Sequence, residues 1–322
     1  MTPRKLKVAT VQMDATPSPV DERLDRAERL VSEAVRGGAQ LVVLPELFNT
    51  GYDYTPANYA LSEEIDGRTV SWMRDMAADH QIYLAGTLML RDVDEVYNSA
   101  LLFAPDGQYW RYDKQFPFLW ERAFFREGHG PTIAKTELGD IGMLICWDSA
   151  HPEAWKRYAG QVDMMLVMSS PPRIASGELV WPDGARMRFN TLGLQSEYDF
   201  TGPDMNTRAA WMQVPVVHAS ASGAFKSPLP LAQISVGVPM LLRPSMWSRW
   251  KEADTALLEC GYAPSTKIIN EQGETIAHVE GDGDGCTLAE ITLADEKPKP
   301  ERYQPPMQHT DTLTYLFADV VA

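Results

Sequence analysis

Apolar positions along this chain switch repeatedly between the period of a strand and that of a helix. Residues 5–13 alternate as a strand does, and a Pro/Asp turn follows them. Residues 20–36 carry Leu24, Ala27, Leu30 and Ala34 at helical spacing. After Gly37-Gly38, residues 39–44 form a nearly continuous apolar run, which suits a strand covered on both faces. This is a strand–helix–strand opening, and the pattern continues. Helix is predicted over 70–80, 152–159 and 205–212, and strand over 82–90, 141–146, 163–168, 214–219 and 286–291. Two hairpins interrupt the alternation. One pairs 97–103 with 109–114 across Pro105-Asp106-Gly107-Gln108, and the other pairs 267–270 with 274–279 across Glu271-Gln272-Gly273. The sum is an α/β fold with mixed sheets covered by helices.

Two segments stand apart. Residues 224–262 are rich in proline and hold Trp247 and Trp250, and 295–308 read as an extended tail rich in Pro and charge. No short-period repeat or sharp linker is visible. The 322 residues are 44% hydrophobic and 23% charged, which is a globular composition with ample material for a core. The net charge of −15 provides no basic run for a phosphate backbone, so nucleic acid is not an expected partner. No stretch approaches 18 uninterrupted apolar residues, so no membrane span is expected. The three cysteines, Cys146, Cys260 and Cys286, form no close pair; this argues against a disulfide framework and fits a reducing, cytoplasmic compartment. The amino terminus reads as a first strand and not as a signal peptide. The six histidines show no metal-binding spacing, and Gly-x-Ser-x-Gly is absent. Gly281-Asp282-Gly283-Asp284-Gly285 lacks the context of a calcium or phosphate loop and reads as a hairpin turn.

Three patterns set a reactive side chain at a strand end, where α/β scaffolds present functional groups. Leu41-Val42-Val43-Leu44-Pro45-Glu46-Leu47-Phe48 leaves Glu46 between apolar neighbours, which favours a buried carboxylate with a partner. Tyr112-Asp113-Lys114-Gln115-Phe116 ends a strand on Lys114, and Gly142-Met143-Leu144-Ile145-Cys146-Trp147-Asp148 ends one on Cys146. Together these form a working set. A thiol needs a base to become a nucleophile, a carboxylate can take its proton, and an ammonium can stabilise a developing oxyanion. The aromatic run Phe116, Phe118, Trp120, Phe124 and Phe125 follows the lysine. Its default reading is core, and its sharper reading is an apolar acyl pocket.

The three patterns in this order resemble the nitrilase superfamily of carbon–nitrogen hydrolases, from about residue 6 to about 293. Further matches are Gly51-Tyr52, Glu121, Gly128, Arg208-Ala209 and Ser220-Ala221-Ser222-Gly223. The resemblance implies a four-layer α-β-β-α sandwich over residues 1–294, with 224–262 inserted and 295–322 as a carboxyl-terminal tail. It implies Cys146 as nucleophile, Glu46 as general base and Lys114 as oxyanion-binding lysine. Glu121 would hold the lysine and the substrate nitrogen, and the Trp147 N–H would be a second oxyanion donor. Tyr52, Phe118 and Trp120 are expected to line the substrate pocket. No metal or organic cofactor is implied, and a homodimer is. The implied substrate is a small amide or N-carbamoyl compound, with a nitrile as the alternative and a catalytically idle scaffold as the alternative of another class. Asp148 in place of Glu leans toward the amide. The sequence departs from the family in the Ser220 segment, in the absence of the usual His-Leu after Lys114, and in the length of 224–262. All three departures fall where substrate loops are expected.

Overall fold

The computed structural model describes residues 4–188, 201–241 and 243–300. In chain order the regular elements are β1 (Arg4–Asp14), α1 (Val20–Arg36), β2 (Leu41–Val43), α2 (Ala57–Leu61), α3 (Arg68–His80), β3 (Tyr83–Asp92), β4 (Glu95–Phe103) and β5 (Tyr109–Asp113). Then follow β6 (Ile133–Thr136), β7 (Gly139–Ile145), α4 (Pro152–Lys156), β8 (Met164–Ser169), β9 (Glu178–Val180), β10 (Arg186–Arg188), α5 (Pro203–Met212) and β11 (Val216–Ser222). The last are β12 (Ala224–Pro228), α6 (Ala232–Leu241), β13 (Leu257–Gly261), β14 (Lys267–Ile269), β15 (Thr275–His278) and β16 (Gly285–Leu293).

The main strands form two halves. One runs β5-β4-β3-β2-β1, with β16 antiparallel to most of β1. The other runs β6-β7-β8-β11, with the hairpin β14–β15 on β11. Among the described residues the halves pair where the end of β1 meets the end of β11, at Gln12↔Ser220 through Asp14↔Ser222. Alternation along β1 explains the layering. Leu6 and Val8 belong to the core between the sheets, whereas Ala9, Val11 and Met13 pack under α1 and α3. On α1, Leu24, Ala27, Leu30, Val31 and Ala34 provide the matching apolar stripe. The second half is buried on both faces, with Trp155 of α4 and Met205, Ala209 and Met212 of α5 in the same core. The layers are therefore helix, sheet, sheet, helix, the sandwich that the resemblance implies.

Strands β1, β2, β3, β7, β8 and β11 are mutually parallel, and β5 runs the same way through antiparallel β4. Their carboxyl ends therefore share one side of the sandwich.

Several expectations needed correction. Ile133–Thr136, Glu178–Val180 and Arg186–Arg188 are strands that the reading of the sequence did not contain. Within 224–262 lie β12 and β13, which pair with each other and with β9 and β10 in a separate four-stranded sheet. Short strands paired across long sequence gaps leave little local periodicity. The Gly281–Gly285 segment is not a hairpin turn, because β15 pairs with β14 and β16 pairs with β1. It is a crossover between sheets, held by the buried Gln12 amide, which donates to the Gly281 and Gly283 carbonyls at 3.0 Å each. Of the expected tail, residues 301–322 lie outside the described residues; within the remainder, Lys297 is ion-paired to Asp140. Among the described residues no helix is long and apolar enough to cross a membrane.

Candidate active site

Glu46, Lys114 and Cys146 each sit just past the carboxyl end of one of the co-directional strands β2, β5 and β7. The expected strand 141–146 ends at Ile145, and Cys146 opens a 3-10 turn, Cys146–Ala150. Its φ of 46° is left-handed, as is the 48° of Leu47 beside Glu46 and of Leu119 near Glu121. Such conformations in bulky residues are uncommon and cluster at functional loops.

The structure brings Glu46, Lys114, Glu121 and Cys146 into one buried group, none more than 4% exposed. The Lys114 ammonium lies 2.9 Å from Glu46 Oε1 and 2.7 Å from Glu121 Oε2. Each carboxylate oxygen facing the lysine takes a second donor. The Asn98 side-chain amide donates to Glu46 Oε1 at 2.8 Å, and the Phe118 N–H donates to Glu121 Oε2 at 2.9 Å. The other two oxygens, Glu46 Oε2 and Glu121 Oε1, are buried without a hydrogen-bond partner among the described residues. These two oxygens are thus available to a water or a ligand in the site. An ammonium has three N–H donors, and the glutamates take two from Lys114.

The electrostatics follow from burial. Burial raises the Glu46 carboxyl above the ordinary range; the Lys114 charge pulls it back and the Glu121 charge adds to the rise. Burial works against the Lys114 ammonium, but Glu121 and then Glu46 outweigh it and hold the lysine firmly charged. Burial also pushes the Cys146 thiol well up, and Glu46 adds to this more strongly than Glu121, while Lys114 and a hydrogen bond from the Ser170 N–H favour the thiolate. The thiol is therefore neutral at rest and needs a base.

The aromatic residues divide into two groups. Phe118 packs against Trp147 with centroids 4.9 Å apart, and Phe116 stacks on His151 at 3.8 Å. Trp120 meets Tyr54 edge-on at 5.2 Å, and Tyr52, Tyr54 and Tyr262 surround Phe225 at 5.8–6.0 Å. Burial raises the Tyr52 hydroxyl pKa, with Tyr54, Glu121 and Glu46 adding to the rise, so this ring lies within electrostatic reach of the carboxylates. Phe225 comes from β12, where Phe225 and Ser227 face inward and the neighbouring Ala224 and Lys226 are exposed. The Ser227 hydroxyl accepts the Tyr54 N–H at 2.8 Å, so the small sheet is pinned against the loop that follows Glu46.

Reading the sequence missed Asn98, Ser170, Tyr54, Phe225 and Tyr262. Asn98 carried a signal, being a polar residue amid the apolar run of 96–103. Ser170 obeys the same strand-end logic as the others, since it follows β8. The remaining three have no local signature. Cys260 and Cys286 lie apart from the site, and burial raises both thiols to about 12. No cluster of three or more His, Cys, Asp or Glu able to hold a metal occurs among the described residues.

Comparison with known proteins bears on this geometry. A family model described as carbon-nitrogen hydrolase matches residues 7–300. A nitrilase from Pyrococcus abyssi is 35% identical over 158 residues, covering 48% of this chain and 60% of that protein. An omega-amidase from Xenopus laevis is 30% identical over 190 residues, covering 55% of this chain and 67% of that one. The matched stretch spans 42–60% of the first three curated relatives. Among solved structures, a CN-hydrolase superfamily protein from Xanthomonas campestris superposes with a TM-score of 0.64 at 19% identity, covering 91% of each chain. An amidase from Nesterenkonia sp. AN1 gives 0.64 at 18% identity, covering 88% of this chain and 92% of that one. At these identities the structural likeness speaks for the fold.

Proposed function

Because the chain belongs to the carbon–nitrogen hydrolase family, we propose that it is a thiol hydrolase that cleaves the C–N bond of a small amide or N-carbamoyl compound. One observation carries this reading: a buried thiol shares its site with a lysine clamped between two glutamates that each keep one oxygen without a partner among the described residues.

Roles follow from which atoms are occupied. Glu46 Oε1 is held by Lys114 and Asn98, so Oε2 is the proton acceptor. Glu46 is assigned as base ahead of Glu121 because that is the role the resemblance implies for it, and its Oε2 has no partner among the described residues. Cys146 Sγ attacks the carbonyl carbon and its proton passes to Glu46. The oxyanion takes the third N–H of Lys114 and the N–H of Trp147. Glu46 returns the proton to the leaving nitrogen, and ammonia or an amine departs. Water, deprotonated by Glu46, then hydrolyses the thioester and frees the thiol. Glu121 anchors the lysine, and its free Oε1 accepts a substrate N–H. Tyr52, Phe118 and Trp120 form the wall for an apolar acyl group.

A nitrile substrate is the second reading, favoured by the nitrilases among the relatives. Ammonia release from a panel of aliphatic amides, N-carbamoyl compounds and nitriles separates the two. Turnover of amides or carbamoyl compounds is expected, and turnover of nitriles alone would overturn the first reading. Phe118→Ala and Trp120→Ala are expected to weaken long acyl amides more than short ones. Equal losses across the series would remove the acyl-wall assignment.

A further inference from the structure

Asp148 is fully buried and has no place in the proton transfers above. Four donors converge on its carboxylate. Oδ1 accepts the N–H of Gln115 at 3.0 Å and of Phe116 at 2.8 Å. Oδ2 accepts the Tyr112 hydroxyl at 2.7 Å and the Ile145 N–H at 3.1 Å. These donors belong to two segments, the end of β5 with the loop after it and the end of β7. Gln115 and Phe116 directly follow Lys114, and Ile145 directly precedes Cys146. Their strands, β5 and β7, lie in different halves of the sandwich and share no ladder of hydrogen bonds. No ladder directly between these two strands therefore sets the distance between the lysine and the thiol. Asp148 joins the two segments through its own carboxylate: Oδ1 takes two N–H groups from the Lys114 side, and Oδ2 takes the Tyr112 hydroxyl from that side together with the Ile145 N–H from the Cys146 side.

The second observation is local. Cys146 is left-handed at φ 46° although it is not glycine. Such a residue keeps that conformation only when its surroundings over-determine it. The turn that holds it is closed by the Ile145 N–H bond to Asp148 on one side. On the other, the Ser149 hydroxyl donates to the Cys146 carbonyl at 2.7 Å.

We propose that Asp148 is a positioning residue: its carboxylate holds Cys146 in the left-handed turn and sets the thiol's spacing from Lys114. This rests on the thiol-hydrolase reading for its consequence in turnover, but not for its geometry. Asp148→Asn tests it. The amide keeps one acceptor oxygen, which can serve the Gln115 and Phe116 N–H groups. Its NH2 then meets the Ile145 N–H, donor against donor, directly before the nucleophile.

The expected result with an amide substrate is a kcat lower by roughly 100-fold with KM within about threefold, the signature of misplaced reacting groups. Iodoacetamide labelling of Cys146 should change in rate, at a melting temperature close to that of the parent protein. A kcat within about threefold of the parent, with an unaltered labelling rate, would overturn the proposal. So would a loss of activity that tracks only the loss of folded protein. Should Asp148→Asn not fold, Tyr112→Phe decides, because it deletes one of the four donors and keeps the three backbone ones. Lower kcat at an unchanged melting temperature supports the proposal, and unchanged kcat and labelling overturn it. If the parent protein turns over no amide, the thiol-hydrolase reading fails by itself. The Cys146 labelling rate in the variants then still decides the role of Asp148.

Discussion

The buried group of two carboxylates and one ammonium makes opposite demands on stability and activity, and Glu46→Gln against Lys114→Met exposes both. Glutamine keeps the shape of Glu46, and its oxygen can still accept from Lys114 and Asn98, the two donors now on Oε1. The substitution also removes one of two like charges that share the site with a single lysine, so the folded state should lose little. Activity should fall by about 10²–10⁴-fold, the typical contribution of a positioned general base, because no group remains to take the thiol proton. Lys114→Met has the other profile. It leaves Glu46 and Glu121 buried without their cation, and breaking a buried pair in this way costs about 3–5 kcal/mol. With about 2.1 cal/mol/K of unfolding entropy per residue over 322 residues, that becomes a drop of roughly 4–7 °C in melting temperature. Ammonia release and thermal unfolding, measured on both variants, are the assays. Glu46→Gln with kcat within about tenfold of the parent, or Lys114→Met as stable as the parent, would refute the assignment of a base and a clamped lysine.

Cys146→Ala should fold normally and release no ammonia, and iodoacetamide should modify Cys146 of the parent faster than Cys260 or Cys286; retained turnover or uniform labelling would count against the nucleophile. Gly128→Ala should lower activity by at least about tenfold, because a Cβ there would stand 2.1 Å from the Asp113 carbonyl, a backbone atom adjacent to Lys114; activity equal to the parent would show that this loop yields without moving the lysine. Burial, and then the Lys267 charge, lower the buried His218 imidazole from 6.5 to about 3. Unfolding lets it take up a proton below pH 6.5, so its contribution to stability is complete above that pH and is lost as pH falls toward 3. Urea unfolding should show His218→Gln losing about 1.4 kcal/mol less per pH unit than the parent between pH 6 and 4, and identical slopes in the two proteins would exclude the effect.

Much of the scaffold was legible because its signals are local. The stripe Leu24, Ala27, Leu30 and Ala34 encodes α1 directly, and the apolar run before Pro45 encodes a strand covered on both faces. Glu46, Lys114 and Cys146 were legible for a related reason: each follows a strand, and the carboxyl ends of co-directional strands are where side chains are presented. What no local pattern carries is pairing between distant segments. The end of β1 joins β11 some 200 positions away, and Gln12 closes a crossover that reads in sequence as a hairpin turn. β9 and β13 form a small sheet across a gap that is also far from local, and beside it Phe225 of β12 reaches Tyr52 and Tyr54. The chain by itself determined which side chains are candidates for the chemistry and that each would lie at a strand end. Only the tertiary structure decided which oxygen of Glu46 is left free, which charges bracket Lys114 and which carboxylate ties the two segments together. Those depend on distances between segments far apart in sequence, and strand pairing and packing set such distances where sequence spacing does not.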